Sequence, residues 1–199
     1  EVEAPEDCEC TSSNSPSRFP QAVREGHVTI VTIGDSVPKV GPKPLFPARL
    51  AKLVEGVATV ENRNIAVSGT MTKHWQPGGN LFENVLTPEL EDADVVVISI
   101  GGNDVMSYIG GSMGNTYQML QKVEGLDEYT TELHNSVATI INEIYARAPD
   151  VDVVFTLYVN YAKASYWGNQ VGPYKDLFAA AGHNALVKAR GYWRAWTVC

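Results

Sequence analysis

The sequence predicts a three-layer α/β domain, in which helices cover both faces of a parallel sheet. Apolar runs of strand length alternate with segments of helical periodicity, which is the pattern of a parallel α/β fold. The strongest run, residues 93–100 (ADVVVISI), is apolar on both faces and stops at a Gly-Gly pair. A strand buried on both faces needs a layer of helices above and below it. The 199 residues suit one compact domain.

Each element is predicted from its local pattern. Strands are expected where β-branched and apolar residues cluster, at 27–33, 57–60, 93–100 and 151–159. A helix is expected at 46–54, where Pro47 occupies the first turn. Residues 126–145 repeat apolar side chains at helical spacing and predict an amphipathic helix. A further helix is expected at 176–188. In such a fold, ligands gather at the carboxyl ends of the strands.

The amino-terminal residues differ from the rest in composition. Residues 1–24 predict a flexible polar leader, because the stretch is rich in Glu, Ser and Pro, and residues 25–199 form the domain. Cys8 and Cys10 lie in this leader, and Cys199 ends the chain. A single Cys-x-Cys pair without a second pair does not predict a zinc site. A polar leader of this kind often follows signal-peptide removal, so we expect a secreted or extracytoplasmic protein.

Charge and hydropathy argue against nucleic-acid binding and against an integral membrane segment. The formal net charge of −8 disfavours binding to nucleic acids, whose phosphates repel an acidic surface. No apolar run approaches the roughly 18 residues that span a bilayer, so no integral membrane segment is predicted. The sequence makes no prediction of oligomeric state.

Three short motifs each follow an expected strand, where an α/β fold builds its site. They are Gly34-Asp35-Ser36, the segment 64–69 (NIAVSG) and the segment 101–104 (GGND). Together they supply the Ser36 hydroxyl and three hydrogen-bond donors, namely the Ser36 N–H, the Gly69 N–H and the Asn103 side-chain amide. Acyl transfer needs this set, because the attacked carbonyl oxygen becomes an anion that fixed donors stabilise.

The ordered motifs resemble the first three conserved blocks of the SGNH (GDSL-type) serine hydrolases. The similarity covers about residues 28–159, and the segment 45–50 (LFPARL) also resembles the first helix of that family. The resemblance implies a flavodoxin-like fold, hydrolysis of an ester, and a mechanism without a metal or other cofactor. It also implies that Ser36 is the nucleophile and first oxyanion donor, with Gly69 and Asn103 as the other two donors.

The last block of that family, Asp-x-x-His, is not found. None of the four histidines, at 27, 74, 134 and 183, has an aspartate three residues before it. A serine hydroxyl is a weak nucleophile without an adjacent base. One interpretation is that the chain is C-terminally incomplete and is weakly active or inactive as it stands. The other is that His183 serves as an unorthodox base.

The sequence also allows two alternative interpretations. Residues 110–114 (GGSMG) match the nucleophile elbow of the α/β-hydrolases, which would make Ser112 the nucleophile, although no strand directly precedes it. Without a base, the domain could instead be a non-catalytic binding module. The acyl group and the alcohol are also open, so an acetylated glycan, a lipid ester and a thioester are all candidate small-molecule substrates.

Overall fold

A computed structural model describes residues 18–40, 43–108 and 126–156. These residues form a four-stranded parallel sheet of order β2-β1-β3-β4. The strands are β1 (His27–Gly34), β2 (Thr59–Asn64), β3 (Val95–Ser99) and β4 (Asp152–Phe155). The helices are α1 (Arg18–Glu25), α2 (Ser36–Lys39), α3 (Phe46–Val54), α4 (Gly102–Tyr108) and α5 (Leu126–Arg147). Short 3₁₀ turns occupy Thr72–Trp75 and Thr87–Glu89, and a π-helical turn lies at Phe82–Leu86.

Apolar side chains are buried on both faces of the sheet. On one face, Val28 and Ile30 of β1 pack with residues of α1 and α3, such as Ala22 and Leu50. On the other face, Val31 and Ile33 are fully buried as well. Because successive side chains of a strand point to opposite faces, a second layer must cover that side. The predicted three-layer α/β fold is therefore confirmed.

Helix α1 corrects the predicted leader. Residues 18–24 lie in this helix, whereas the sequence assigned them to a flexible segment. Phe19, Ala22 and Val23 have helical spacing and pack in the core cluster. Arg18 pairs with both carboxylate oxygens of Asp150 at 2.9 and 3.0 Å. The rest of the leader, and with it Cys8 and Cys10, lies outside the described residues, as does Cys199.

Two further boundaries differ from the prediction. The second strand runs over 59–64 rather than 57–60, because its later residues are polar and carry no apolar strand pattern. In the described sheet it pairs with β1 alone. The segment after β1, for which the sequence predicted no helix, begins with the single helical turn α2. Pro38 is tolerated there because the first turn of a helix does not use its N–H groups. The helix expected at 176–188 lies outside the described residues.

The chain divides into two compact units. Among the described residues, one unit contains 18–107 and 135–156, which include the whole sheet. The other contains 108 and 126–134, where the rings of Tyr108 and Tyr129 stack with centroids 4.2 Å apart. Within the described residues, no helix combines the length and the apolar character needed to cross a membrane.

Candidate active site

The three motifs meet because their strands end at the same edge of the sheet. In the pairing register, Gly34 at the end of β1 lies opposite Ser99 at the end of β3, and Thr32 lies opposite Asn64 at the end of β2. The chain leaves β1 toward β2 on one side and reaches β3 on the other side. In open α/β sheets, ligands bind where connections diverge in this way, at the carboxyl ends of the strands.

The turn from β1 to α2 presents Ser36. Gly34 has a φ of +145° and approaches Ser99 so closely that a Cβ atom would lie 2.0 Å from the Ser99 carbonyl oxygen. Asp35 is buried, donates its N–H to that same oxygen at 3.2 Å, and accepts the Val37 N–H on its side chain at 2.9 Å. These bonds fix the turn. Ser36 is half-buried at the first position of α2, where a helix offers no carbonyl to its N–H.

The second motif forms a tight turn that presents Gly69. The Thr70 N–H donates to the Val67 carbonyl at 3.3 Å, and Gly69 in this turn has a φ of +82°. A positive φ at the third position of a turn favours glycine. The turn is attached to β1, because the Val67 N–H donates to the Gly34 carbonyl at 2.9 Å. Asn64 holds the start of the segment by donating to the Pro38 carbonyl at 2.7 Å.

The third motif enters α4 after β3. Asn103 donates its side-chain amide to the Thr70 carbonyl at 2.9 Å, which connects the third motif directly to the turn of Gly69. Asp104 is buried and accepts hydrogen bonds from the backbone N–H of Thr72 at 3.1 Å and from its hydroxyl at 2.6 Å. The structure thus joins the segments of Ser36, Gly69 and Asn103 through hydrogen bonds between their loops.

Sequence reasoning missed Thr70, which touches all three motifs. Its hydroxyl lies 3.0 Å from the Gly34 carbonyl and 2.8 Å from the Val67 carbonyl, and it accepts the Trp75 indole N–H at 3.1 Å. Its own carbonyl accepts Asn103. Trp75 is fully buried. The only signal in the sequence was the position of Thr70 directly after Gly69, which says nothing of such distant partners.

Two of the described histidines have contacts or positions that argue against a role as base. His27 begins β1 and lies about 23 Å from its far end by the rise of an extended strand, at the edge opposite Ser36. His74 is exposed, and its Nδ1 accepts the Met71 N–H at 2.8 Å. That bond occupies the lone pair that would take a proton.

The remaining histidines leave the base unassigned. His134 is half-buried in α5, where burial lowers its pKa below the usual value. His183 and the rival nucleophile Ser112 lie outside the described residues. Their predicted roles stay predictions. No three side chains of His, Cys, Asp or Glu gather as a metal site among residues 18–40, 43–108 and 126–156.

Comparison with known structures finds the same fold in bacterial and metagenomic enzymes. The chain is 22% identical to an extracellular lipase from Streptomyces rimosus, with a TM-score of 0.57 over 82% of this chain and 73% of that one. It is 17% identical to the lipase Lip_vut3 from a goat rumen metagenome, with a TM-score of 0.54 over 80% and 74%. It is 16% identical to a phospholipase A1 from Streptomyces albidoflavus, with a TM-score of 0.51 over 82% of this chain and 75% of that one.

The family comparison covers most of the chain. No curated protein matches the sequence. The family model of the GDSL-like lipases and acylhydrolases, in contrast, matches residues 32–194, which include all three motifs. The resemblance seen in the motifs is confirmed over this longer range. The chain therefore belongs to the GDSL-like Lipase/Acylhydrolase family of ester hydrolases.

Proposed function

We propose that the chain cleaves a carboxylic ester through an acyl-enzyme on Ser36. The observation that carries this proposal is the hydrogen bond from Asn103 to the Thr70 carbonyl. It ties the third motif to the turn of Gly69, and that turn is bonded to the Gly34 carbonyl two residues before Ser36. A nucleophile and hydrogen-bond donors on loops held together in this way are what acyl transfer requires.

In the proposed reaction, the Ser36 oxygen adds to the ester carbonyl carbon while a base takes the hydroxyl proton. The electron pair of the C=O bond moves onto its oxygen, which becomes the oxyanion. The bond to the alcohol then breaks, and the base returns the proton to the departing alcohol. A water molecule, deprotonated by the same base, then attacks the acyl carbon. The bond from that carbon to the Ser36 oxygen breaks, the base returns the proton to this oxygen, and the carboxylic acid leaves.

Three donors would stabilise the oxyanion, namely the N–H groups of Ser36 and Gly69 and the amide of Asn103. A primary amide carries two N–H hydrogens. The bond to the Thr70 carbonyl uses one of them and fixes the plane of the Asn103 amide. With the plane fixed, the direction of the second hydrogen is also set before the substrate arrives. Donors that need no reorganisation during the reaction give the largest electrostatic stabilisation.

The base is proposed to lie outside the described residues. His183 is one candidate, and an Asp-x-x-His block beyond residue 199 is the other. With such a block missing, the oxyanion donors and substrate binding alone would leave only about 10³–10⁴-fold acceleration over water. We also propose that the protein is exported, because a polar leader of this composition often follows signal-peptide removal.

Ester hydrolysis and serine labelling test this proposal. The substrates are nitrophenyl esters of increasing chain length, an acetylated sugar, an acyl thioester and a phospholipid. Lipid esters are included because the similar structures are named lipases and a phospholipase A1. We expect hydrolysis that Ser36→Ala abolishes, and a fluorophosphonate probe that labels Ser36. Labelling of Ser112 instead would place the nucleophile elsewhere.

A second comparison separates the two candidate bases. We expect an added C-terminal extension with Asp-x-x-His to raise turnover by orders of magnitude if the block is missing. If the 199-residue chain is already fast, His183→Ala should abolish its activity. A chain that binds an ester, never turns it over and gains nothing from the extension would be a binding module.

A further inference from the structure

We propose that Thr70 is a positioning residue that sets the mutual placement of the nucleophile turn and the Asn103 amide. It is 7% exposed and lies directly after Gly69. It contacts no reacting atom in the proposed mechanism, and acts through Gly34 on one side and Asn103 on the other. The inference rests on the proposed function, since it assigns Thr70 a task in that site.

The hydroxyl of Thr70 has a defined orientation. A hydroxyl donates one hydrogen and accepts on its lone pairs. The Trp75 indole is a donor only, so its bond to Oγ1 at 3.1 Å occupies a lone pair. The hydroxyl hydrogen is thereby directed to the Gly34 and Val67 carbonyl oxygens, at 3.0 and 2.8 Å. One hydrogen shared between these two oxygens joins the end of β1 to the turn of Gly69.

The carbonyl of Thr70 extends this connection to the third motif. It accepts the Asn103 amide at 2.9 Å, so any shift of Thr70 also moves the preferred plane of that amide. Gly34 and Asn103 are 36 and 33 residues away from Thr70 in sequence, and each is held by an atom of this one residue. Catalytic groups must be held within about 0.5 Å of their productive geometry. Thr70 can supply that constraint because it is itself buried and fixed by Trp75.

Two variants of Thr70 separate the effect of its hydroxyl from the effect of its packing. Thr70→Val keeps the shape of the side chain but removes the shared hydrogen, and it leaves the buried Trp75 N–H without its acceptor. Thr70→Ser keeps the hydroxyl and loses only a methyl group. Thr87 offers a matched control, because its hydroxyl also donates to a carbonyl, that of Phe82 at 2.9 Å, and accepts from Arg147 at 2.6 Å. Thr87 lies on the connection into the amino end of β3, and its hydroxyl bonds to residues outside the three motifs.

Steady-state kinetics on an ester that the wild-type chain hydrolyses is the first test. We expect Thr70→Val to lower kcat by about 10- to 100-fold, as a misplacement of up to about 1 Å does, with KM nearly unchanged. Thr70→Ser should restore most of kcat. Thr87→Val should lower the melting temperature without lowering kcat. A Thr70→Val enzyme with wild-type kcat, or a Thr87→Val enzyme with the same loss, overturns the proposal.

A second readout does not need turnover, so it also tests Thr70 if no ester is hydrolysed and the proposed function fails. The side-chain amide of Asn103 gives two ¹H–¹⁵N resonances, assigned by their loss in Asn103→Ala. We expect Thr70→Val to shift both resonances and to speed exchange of the bonded hydrogen, while Thr87→Val leaves them in place. Unchanged resonances overturn the proposal. If Thr70→Val does not fold, Trp75→Phe replaces it in both measurements, with a smaller loss of kcat expected and the same criteria.

Discussion

Replacing Gly34 by alanine should test how closely β1 approaches β3 at the candidate site. An added Cβ atom would lie 2.0 Å from the Ser99 carbonyl oxygen and 2.8 Å from its carbon. Both atoms belong to the backbone of the neighbouring strand, so no side-chain rotation relieves the contact. The end of β1 must move away by about 1.4 Å or more before the Cβ reaches an ordinary separation.

The cost of this change has two parts. A φ of +145° is strained for any residue with a Cβ atom, at about 1–3 kcal/mol. The movement also weakens the bond from the Asp35 N–H to the Ser99 carbonyl, and a hydrogen bond of this kind contributes about 0.5–1.5 kcal/mol. We therefore expect Gly34→Ala to lower the free energy of unfolding by about 2–4 kcal/mol, a large part of the 5–15 kcal/mol typical of a domain.

Urea unfolding of Gly34→Ala and Gly26→Ala measures this cost with a built-in control. Gly26 also has a positive φ, +82°, but an added Cβ there has no atom within 4 Å. Its replacement should cost only the backbone strain, about 1–2 kcal/mol. The difference between the two variants then reports the contact with Ser99. If Gly34→Ala costs no more than Gly26→Ala, the close approach of the two strands is not what requires glycine.

Three further predictions concern activity, acid stability and the amino-terminal helix. Asn103→Ala should lower kcat by about 10²–10³, as the loss of one oxyanion donor does, and ester kinetics with wild-type turnover would remove Asn103 from the oxyanion hole. A hydrogen bond from Arg63 holds the pKa of Asp92 below its usual value. The stabilisation from this bond is therefore present above the usual pKa and is lost as the pH falls below about 4. Arg63→Met should lower the melting temperature more at pH 7 than at pH 3, and equal losses would contradict this. Arg18→Ala should lower the free energy of unfolding by about 1–3 kcal/mol, non-additively with Asp150→Ala, and full additivity would show that their bond contributes nothing.

The elements that the sequence predicted well are those whose pattern reflects burial. The bounds of α3 agree with the prediction. Strand β1 is one residue longer than predicted, and β3 is shorter by two residues at its start and one at its end. The strand β2 was placed too early, because its later half is polar and its outer edge has no neighbouring strand in the described sheet. Burial leaves a periodic signal in the sequence, whereas the pairing of an edge strand with one neighbour leaves much less.

The candidate site was predictable as a set of segments but not as a network. Motifs that follow successive strands of a parallel sheet must come to one edge, which is why Ser36, Gly69 and Asn103 could be grouped. The hydrogen bonds that join those segments depend on atoms that only the fold brings together. Thr70 and the pair of Thr72 with Asp104 are held by such bonds over more than thirty residues of sequence. A local pattern carries no signal for them.

The amino ends and the carboxyl ends of the strands form two opposite edges of the sheet, and different contacts stabilise each. We therefore expect mutations at the amino edge to affect stability, and mutations at the carboxyl edge to affect activity as well. At the amino edge, buried Asp94 accepts the Thr29 N–H at 2.7 Å, and its carbonyl accepts the Asp152 N–H at 3.0 Å, so one residue links three strands. At the carboxyl edge, Gly34 permits close backbone contact and Thr70 bridges the loops. Asp94→Asn weakens a charged acceptor at the far edge from Ser36, so its loss should appear in the unfolding free energy with kcat nearly unchanged. Thr70→Val should lower kcat strongly, in addition to the stability that is lost because the buried Trp75 N–H has no acceptor. If Asp94→Asn lowered kcat as strongly as Thr70→Val in folded protein, the two edges would be coupled and this division would be wrong.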